Sequence, residues 1–137
     1  MFKRQVQQVF SLKHFVMQFF FQAVLLFTFN LLDALLTLFW VRNGFATEGN
    51  QLMASLLDIG DLPFLIVKIG VGAIASTVIW RCRKFPVAKH GLTFALIVYT
   101  SIMGVHFFTG LSAFGFLSDA LVNNVANWSQ TLLTFFF

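Results

Sequence analysis

Long apolar runs separated by short polar connections set the pattern of the chain. The first run extends from Phe15 to Val41 and is interrupted only by Gln18, Gln22, Thr28, Asn30, Asp33 and Thr37. The second covers Asp61 to Trp80 and the third Gly91 to Ala113. A helix needs roughly 20 mostly apolar residues to cross a ~30 Å hydrocarbon core, so each run predicts a transmembrane helix. Arg42, Asn43 and Gly44 end the first, and Trp40 near that end suits the membrane interface. Asp61 as cap and Pro63 in the first turn fit the start of the second.

The connections are more amphipathic. Residues 1–14 place Phe2, Val6, Val9 and Phe10 on one helical face beside Lys3, Arg4, Lys13 and His14, which predicts a helix lying on the membrane surface. The rival reading, a cleaved signal peptide, lacks a small-residue cleavage site after its apolar stretch. Residues 47–59 predict a short interfacial helix on the other side, with Thr47 as N-cap and Gly60 as a left-handed stop. In the tail, Leu117, Leu121, Val125, Trp128 and Leu132 recur at helical spacing among Asn123, Asn124 and Asn127. An amphipathic helix over 116–137 is the first expectation and a fourth span the alternative. The fold expected is therefore an all-α integral membrane protein in one domain, with three transmembrane helices (15–41, 61–80, 91–113) plus interfacial helices.

Composition agrees. Of 137 residues, 58% are hydrophobic and only 10% charged, too few polar side chains to coat a water-soluble globule, and 20 are Phe. The net charge of +4 does not point to nucleic acid, because the basic residues sit at the ends of apolar runs. Lys3, Arg4, Lys13, Arg81, Arg83, Lys84 and Lys89 share one side of a three-span arrangement. The other side holds Arg42 with Glu48, Asp58, Asp61 and Asp119. By the positive-inside rule the N-terminus is cytoplasmic, and the C-terminus is outside if there are three spans. The single cysteine, Cys82, excludes an internal disulfide.

Three titratable side chains fall inside the spans: Asp33, Lys68 and His106. Each costs about 2.5–3.5 kcal/mol at mid-membrane unless it faces protein and finds a partner. At 1.5 Å rise per residue they lie ~15, ~10 and ~10 Å from the outer ends of their helices, so all three fall in one half of the bilayer. Asn30, Asp33 and Thr37 share one face of the first span, Lys68 shares a face with Gly72 and Ala75, and Tyr99, His106 and Thr109 share one of the third. The polar cluster expected comprises Asn30, Asp33, Thr37, Lys68, Tyr99, His106 and Thr109, with Glu48 and Asn50 folding over it as a lid. Gly72, Ser76 and Gly104 are small residues suited to close helix packing.

No metal site is expected, because an ammonium in the same pocket repels a cation and no metal-ligand spacing occurs. No cofactor is implied, and no GxSxG, P-loop or GxGxxG motif supports an enzyme. The same polar residues can act simply as glue between helices.

Asp33 and Thr37 as D-x-x-x-T, followed by Gly44, Glu48 and Asn50 and then Lys68, resemble a bacterial family of small multi-pass membrane proteins of unknown function. The likeness covers residues 28–110, and members follow the asparagine with proline where this chain has Gln51. It implies that Asp33, Glu48, Asn50 and Lys68 form one site, and it carries no activity. The function expected is a small, non-enzymatic accessory subunit of an inner-membrane complex. Its partners would be the lipid bilayer and other membrane subunits or further copies of itself. The alternative is a ligand-, ion- or proton-handling protein built on an Asp33–Lys68–His106 pocket.

Overall fold

The computed structural model describes residues 2–116 together with Ser118, Asn123, Asn124 and Asn127. Four helices follow in order: α1 (Phe2–Arg42), α2 (Gln51–Ile59), α3 (Asp61–Arg81) and α4 (Pro86–Ala113). Among the described residues there is no strand. Three helices are long and apolar enough to cross a membrane: Phe10–Arg42 of α1, Asp61–Arg81 and Pro86–Ala113. The amphipathic helix expected over 116–137 lies outside the described residues, apart from the few named above.

α1 is the central helix and packs against both α3 and α4, which touch each other less. Its inward stripe is Phe19, Ala23, Leu26, Asn30, Asp33, Thr37 and Trp40, all buried except the partly covered Thr37. The steps alternate four and three residues, the 3.5-residue period that keeps one seam facing its neighbours. At one end Phe19, Leu26 and Leu92 form an apolar cluster with Ile79, Trp80, Leu96 and Tyr99 around it. At the other, Trp40 lies against Gly110, where an added Cβ would meet its ring at 3.4 Å. Trp40 is therefore buried inside the protein at 6% exposure, rather than standing free at the interface as its position suggested.

Several boundaries differ from expectation. Residues 2–14 are not a separate surface helix; they continue α1 without a break, as no Gly or Pro interrupts them. Trp80, at the last turn of α3, meets Phe19 and Phe20 with ring centroids 6.5 and 5.2 Å apart, so the earlier turns of α1 extend past the end of α3. α4 begins five residues before Gly91, because Pro86 takes the first helical position, where its fixed φ and missing N–H suit a helix start.

α2 starts four residues later than expected. Its N-cap is Asn50, not Thr47, and the Asn50 side chain accepts from the Leu52 N–H at 3.0 Å. Gly60 closes α2 and opens α3 with φ 156° and ψ 166°, a conformation open essentially to glycine, rather than with the left-handed cap expected. Asp61 does not cap α3. Its carboxylate instead meets the Arg42 guanidinium, accepting from Nε at 2.6 Å, while Arg42 Nη2 donates to the Leu57 carbonyl at 2.9 Å. This clamp ties the end of α1 to the α2–α3 corner and sets the level of the two helices.

Candidate functional site: a polar cluster inside the helix bundle

The polar residues on the α1 stripe fall one above another, and each meets a different neighbour. Asn30 is the lowest. Its amide donates to the backbone carbonyl of Lys68 on α3 at 3.3 Å, and its oxygen accepts from the Tyr99 hydroxyl on α4 at 2.8 Å. One side chain thus joins three helices. The contact depends on Gly72, because an added Cβ there would overlap the Asn30 amide.

Asp33 is one turn higher and carries the two central contacts. Its Oδ2 lies 3.0 Å from Lys68 Nζ and its Oδ1 2.9 Å from His106 Nε2. Thr37, a further turn up, accepts from Lys68 Nζ at 3.3 Å and directs its own hydroxyl toward Asp33 Oδ1 at 3.4 Å. The Lys68 ammonium also lies 5.0 Å from the Phe64 ring centre, a cation–π contact from one turn earlier on α3.

Glu48 arrives from outside the spans. The connection between α1 and α2 folds back so that its Oε2 lies 3.7 Å from Lys68 Nζ. Its Oε1 accepts from the Asn50 backbone N–H at 3.0 Å, so Asn50 both caps α2 and holds the glutamate. The side chains of Asp33, Lys68, His106 and Glu48 are only 10–14% exposed. Four titratable groups from α1, α3, α4 and a connection therefore share one shielded space.

Most of the residues singled out in the sequence meet here. Asn30, Asp33, Thr37, Glu48, Lys68, Tyr99 and His106 are linked, and Asn50 supports Glu48. Thr109 stands apart, since its hydroxyl donates to the Val105 carbonyl of its own helix. Gly72 and Ser76 lie buried on the inner stripe of α3, whereas Ala75, expected on that face, is exposed. Gly104 is exposed with nothing near it, so it packs against no described part of the chain; Gly110 makes the close approach on α4. Phe64, fully buried under Lys68, was missed; its one-turn spacing from Lys68 was the available signal.

The sequence profile of a family described as "Domain of unknown function (DUF5658)" matches residues 24–112. The chain belongs to this family. No curated protein matches the chain, and no solved structure does. The DUF5658 region begins partway along α1 and ends at the last turn of α4, so it encloses every member of the polar cluster. It leaves out the first turns of α1 and the tail. Gln51, where the resemblance leads one to expect proline, is the first residue of α2, immediately after the Asn50 cap. A proline there would sacrifice no intrahelical hydrogen bond, so the local fold accommodates either residue.

Among the described residues no group of His, Cys, Asp or Glu has the arrangement of a metal site. The chemistry within reach of the cluster is ion pairing, hydrogen bonding and proton transfer between His106 and Asp33.

Proposed function

We propose that this DUF5658 protein handles a small ion or proton at the Asp33–Lys68–His106 pocket. One observation carries the reading: Lys68 faces a second carboxylate, Glu48, although Asp33 at 3.0 Å already neutralises it. Holding helices together needs one pair. A second carboxylate and an imidazole bonded to the first create a site whose charge depends on what it binds. Ionisable groups within the membrane mark ion and proton pathways, because each is expensive to keep there.

We place the protein in a bacterial cytoplasmic membrane with its N-terminus inside, so that the pocket opens toward the outer face. The seven basic residues at the Lys13 and Arg81–Lys89 end support that orientation. Three spans enclose no continuous pore, so movement across the membrane would require several copies or a partner.

The test is reconstitution into liposomes holding a pH- or sodium-sensitive dye, with a potassium diffusion potential as the driving force. Flux of protons or sodium that disappears in His106→Gln supports the proposal. Equal leakage from wild type, His106→Gln and protein-free vesicles contradicts it.

A second reading, an accessory subunit of a larger membrane complex, has its own support. The outward faces of α3 and α4 present large apolar side chains, among them Ile66, Ile74, Phe94, Ile97 and Phe107, each more than 60% exposed. Lipid or partner helices must cover them. Purification in mild detergent followed by native mass spectrometry separates the readings: a stoichiometric complex with other chains favours the subunit, and a lone chain or homo-oligomer favours the pocket.

A further inference from the structure

Lys68 holds its two carboxylates unequally. Asp33 lies 3.0 Å from Nζ with Thr37 and His106 supporting it, whereas Glu48 Oε2 lies at 3.7 Å and has no hydrogen-bond partner among the described residues. Glu48 is also the only one of the four charged or titratable members carried by a connection rather than a spanning helix. The longest ion-pair contact of the cluster thus belongs to the member carried by a connection.

Charge counting gives this asymmetry a consequence. Asp33 and Glu48 contribute two negative charges and Lys68 one positive. His106, bonded to Asp33 at 2.9 Å, decides the total. With a neutral imidazole the cluster carries one surplus negative charge; with an imidazolium it is neutral. A surplus charge shielded from water is costly, and the group that can most readily return to water relieves it. The other titratable groups nearby do not alter the count. Tyr99, on the helix of His106, is engaged with Asn30, and Arg42 and Asp61 neutralise each other at the end of the bundle. The opposite flank of His106 is an open groove of about 400 Å³ lined by Leu36, Trp40, Met103, Phe107 and Gly110, which offers no alternative counter-charge.

We infer that the pocket binds a single proton on the His106–Asp33 hydrogen bond, and that this proton controls the Glu48 strap, residues 43–50. With the proton bound, Glu48 is retained over Lys68. Loss of the proton to water leaves Glu48 as the surplus charge, and the strap swings out and opens the pocket to that side. The strap is therefore closed while the His106–Asp33 contact holds its proton and open once that proton is lost, so lower pH favours closure. The inference rests on the ion-handling reading and names its ligand and its gate.

The experiment uses the full chain in lipid nanodiscs with Cys82→Ser and a nitroxide attached at Gly49→Cys, a position with no atom within 4 Å of an added Cβ. Ring ¹⁵N-labelled histidine gives a pair of nitrogen signals each for His14, His90 and His106, and His106→Gln assigns the pair of His106. The expected result is that the His106 signal follows a one-proton curve and the nitroxide passes from restrained to mobile with the same midpoint. In His106→Gln the strap should be mobile at every pH. In Glu48→Gln the nitroxide should lose its pH dependence while His106 still titrates. A His106 signal that stays constant from about pH 5 to 8, the range in which histidine ordinarily changes charge, overturns the inference. So does a nitroxide transition that survives in both variants. A titrating His106 beneath a static strap removes the gate and leaves the liposome result untouched. Absent flux with an intact coupled titration removes the transport reading and leaves the proton site.

Discussion

Replacing Gly72 by alanine would build a methyl group into the side chain of Asn30. The amide cannot stay where it is, and it is bonded both to the Lys68 carbonyl and to the Tyr99 hydroxyl. Overpacking a tight contact costs about 1–3 kcal/mol. The two hydrogen bonds add roughly 0.6 kcal/mol each, the average measured for such bonds between membrane helices. The expected loss is therefore about 2–4 kcal/mol. Gly70, two residues earlier on the same helix, supplies the control, because an added Cβ there meets nothing. Gly70→Ala should gain up to about 1 kcal/mol from helix propensity. The assay is reversible unfolding in mixed micelles, following helicity for both variants. A third comparison isolates the cause: Asn30→Ala should cost less in the Gly72→Ala background than alone, because the amide has already been displaced. Equal stability of Gly70→Ala and Gly72→Ala would refute the close packing of α1 on α3.

Three further outcomes are expected. Gln51→Pro should be neutral or stabilising by about 0.4–1 kcal/mol in the same unfolding assay, because Asn50 already has the extended backbone that precedes proline and the first helical N–H needs no partner. Arg42→Gln should cost about 1 kcal/mol or less despite its two contacts, because the Arg42–Asp61 pair is half exposed and screened; a large salt-independent loss would show that the clamp matters more than its exposure allows. In intact cells a membrane-impermeant thiol reagent should leave Cys82 unlabelled and, in the Cys82→Ser background, should label Gly49→Cys; the reverse pattern would invert the orientation.

The spans were legible because lipid demands long apolar stretches, and their lengths follow from membrane thickness. The cluster was legible for the same reason turned round. In a run as uniform as Phe15 to Val41, the hydrophobic pattern cannot reveal which face is inside, but Asn30, Asp33 and Thr37 can. With Phe19, Ala23, Leu26 and Trp40 they trace the whole inner seam at alternating steps of four and three. Thr109 misled because a hydroxyl can satisfy itself on its own helix, which Asp, Lys and Asn cannot do as readily. Gly104 misled because a small residue permits close approach without requiring it, and only the position of Trp40 shows that Gly110 is the one used. The caps were missed where competing partners exist: Asp61 fits a helix start, yet Arg42 from another helix takes its carboxylate.

The central claim is that Asp33 and Lys68 form one interacting unit inside the membrane. A double-mutant cycle of Asp33→Asn and Lys68→Met, measured by unfolding in bicelles, tests it most directly. Lys68→Met leaves Asp33 and Glu48 without their cation, and Asp33→Asn leaves Lys68 only the more distant Glu48, in a site that is 10–14% exposed. Removal of one partner of a buried pair typically costs about 3–5 kcal/mol, and the remaining Glu48 puts Asp33→Asn toward the low end. In the double variant no orphan remains at the centre, and Glu48, on its connection, is free to turn toward water. The account predicts a double variant less damaged than the sum of the two singles, with a coupling of about 1–3 kcal/mol. Losses that add to within about 0.5 kcal/mol would mean that the two residues do not interact, and would contradict it.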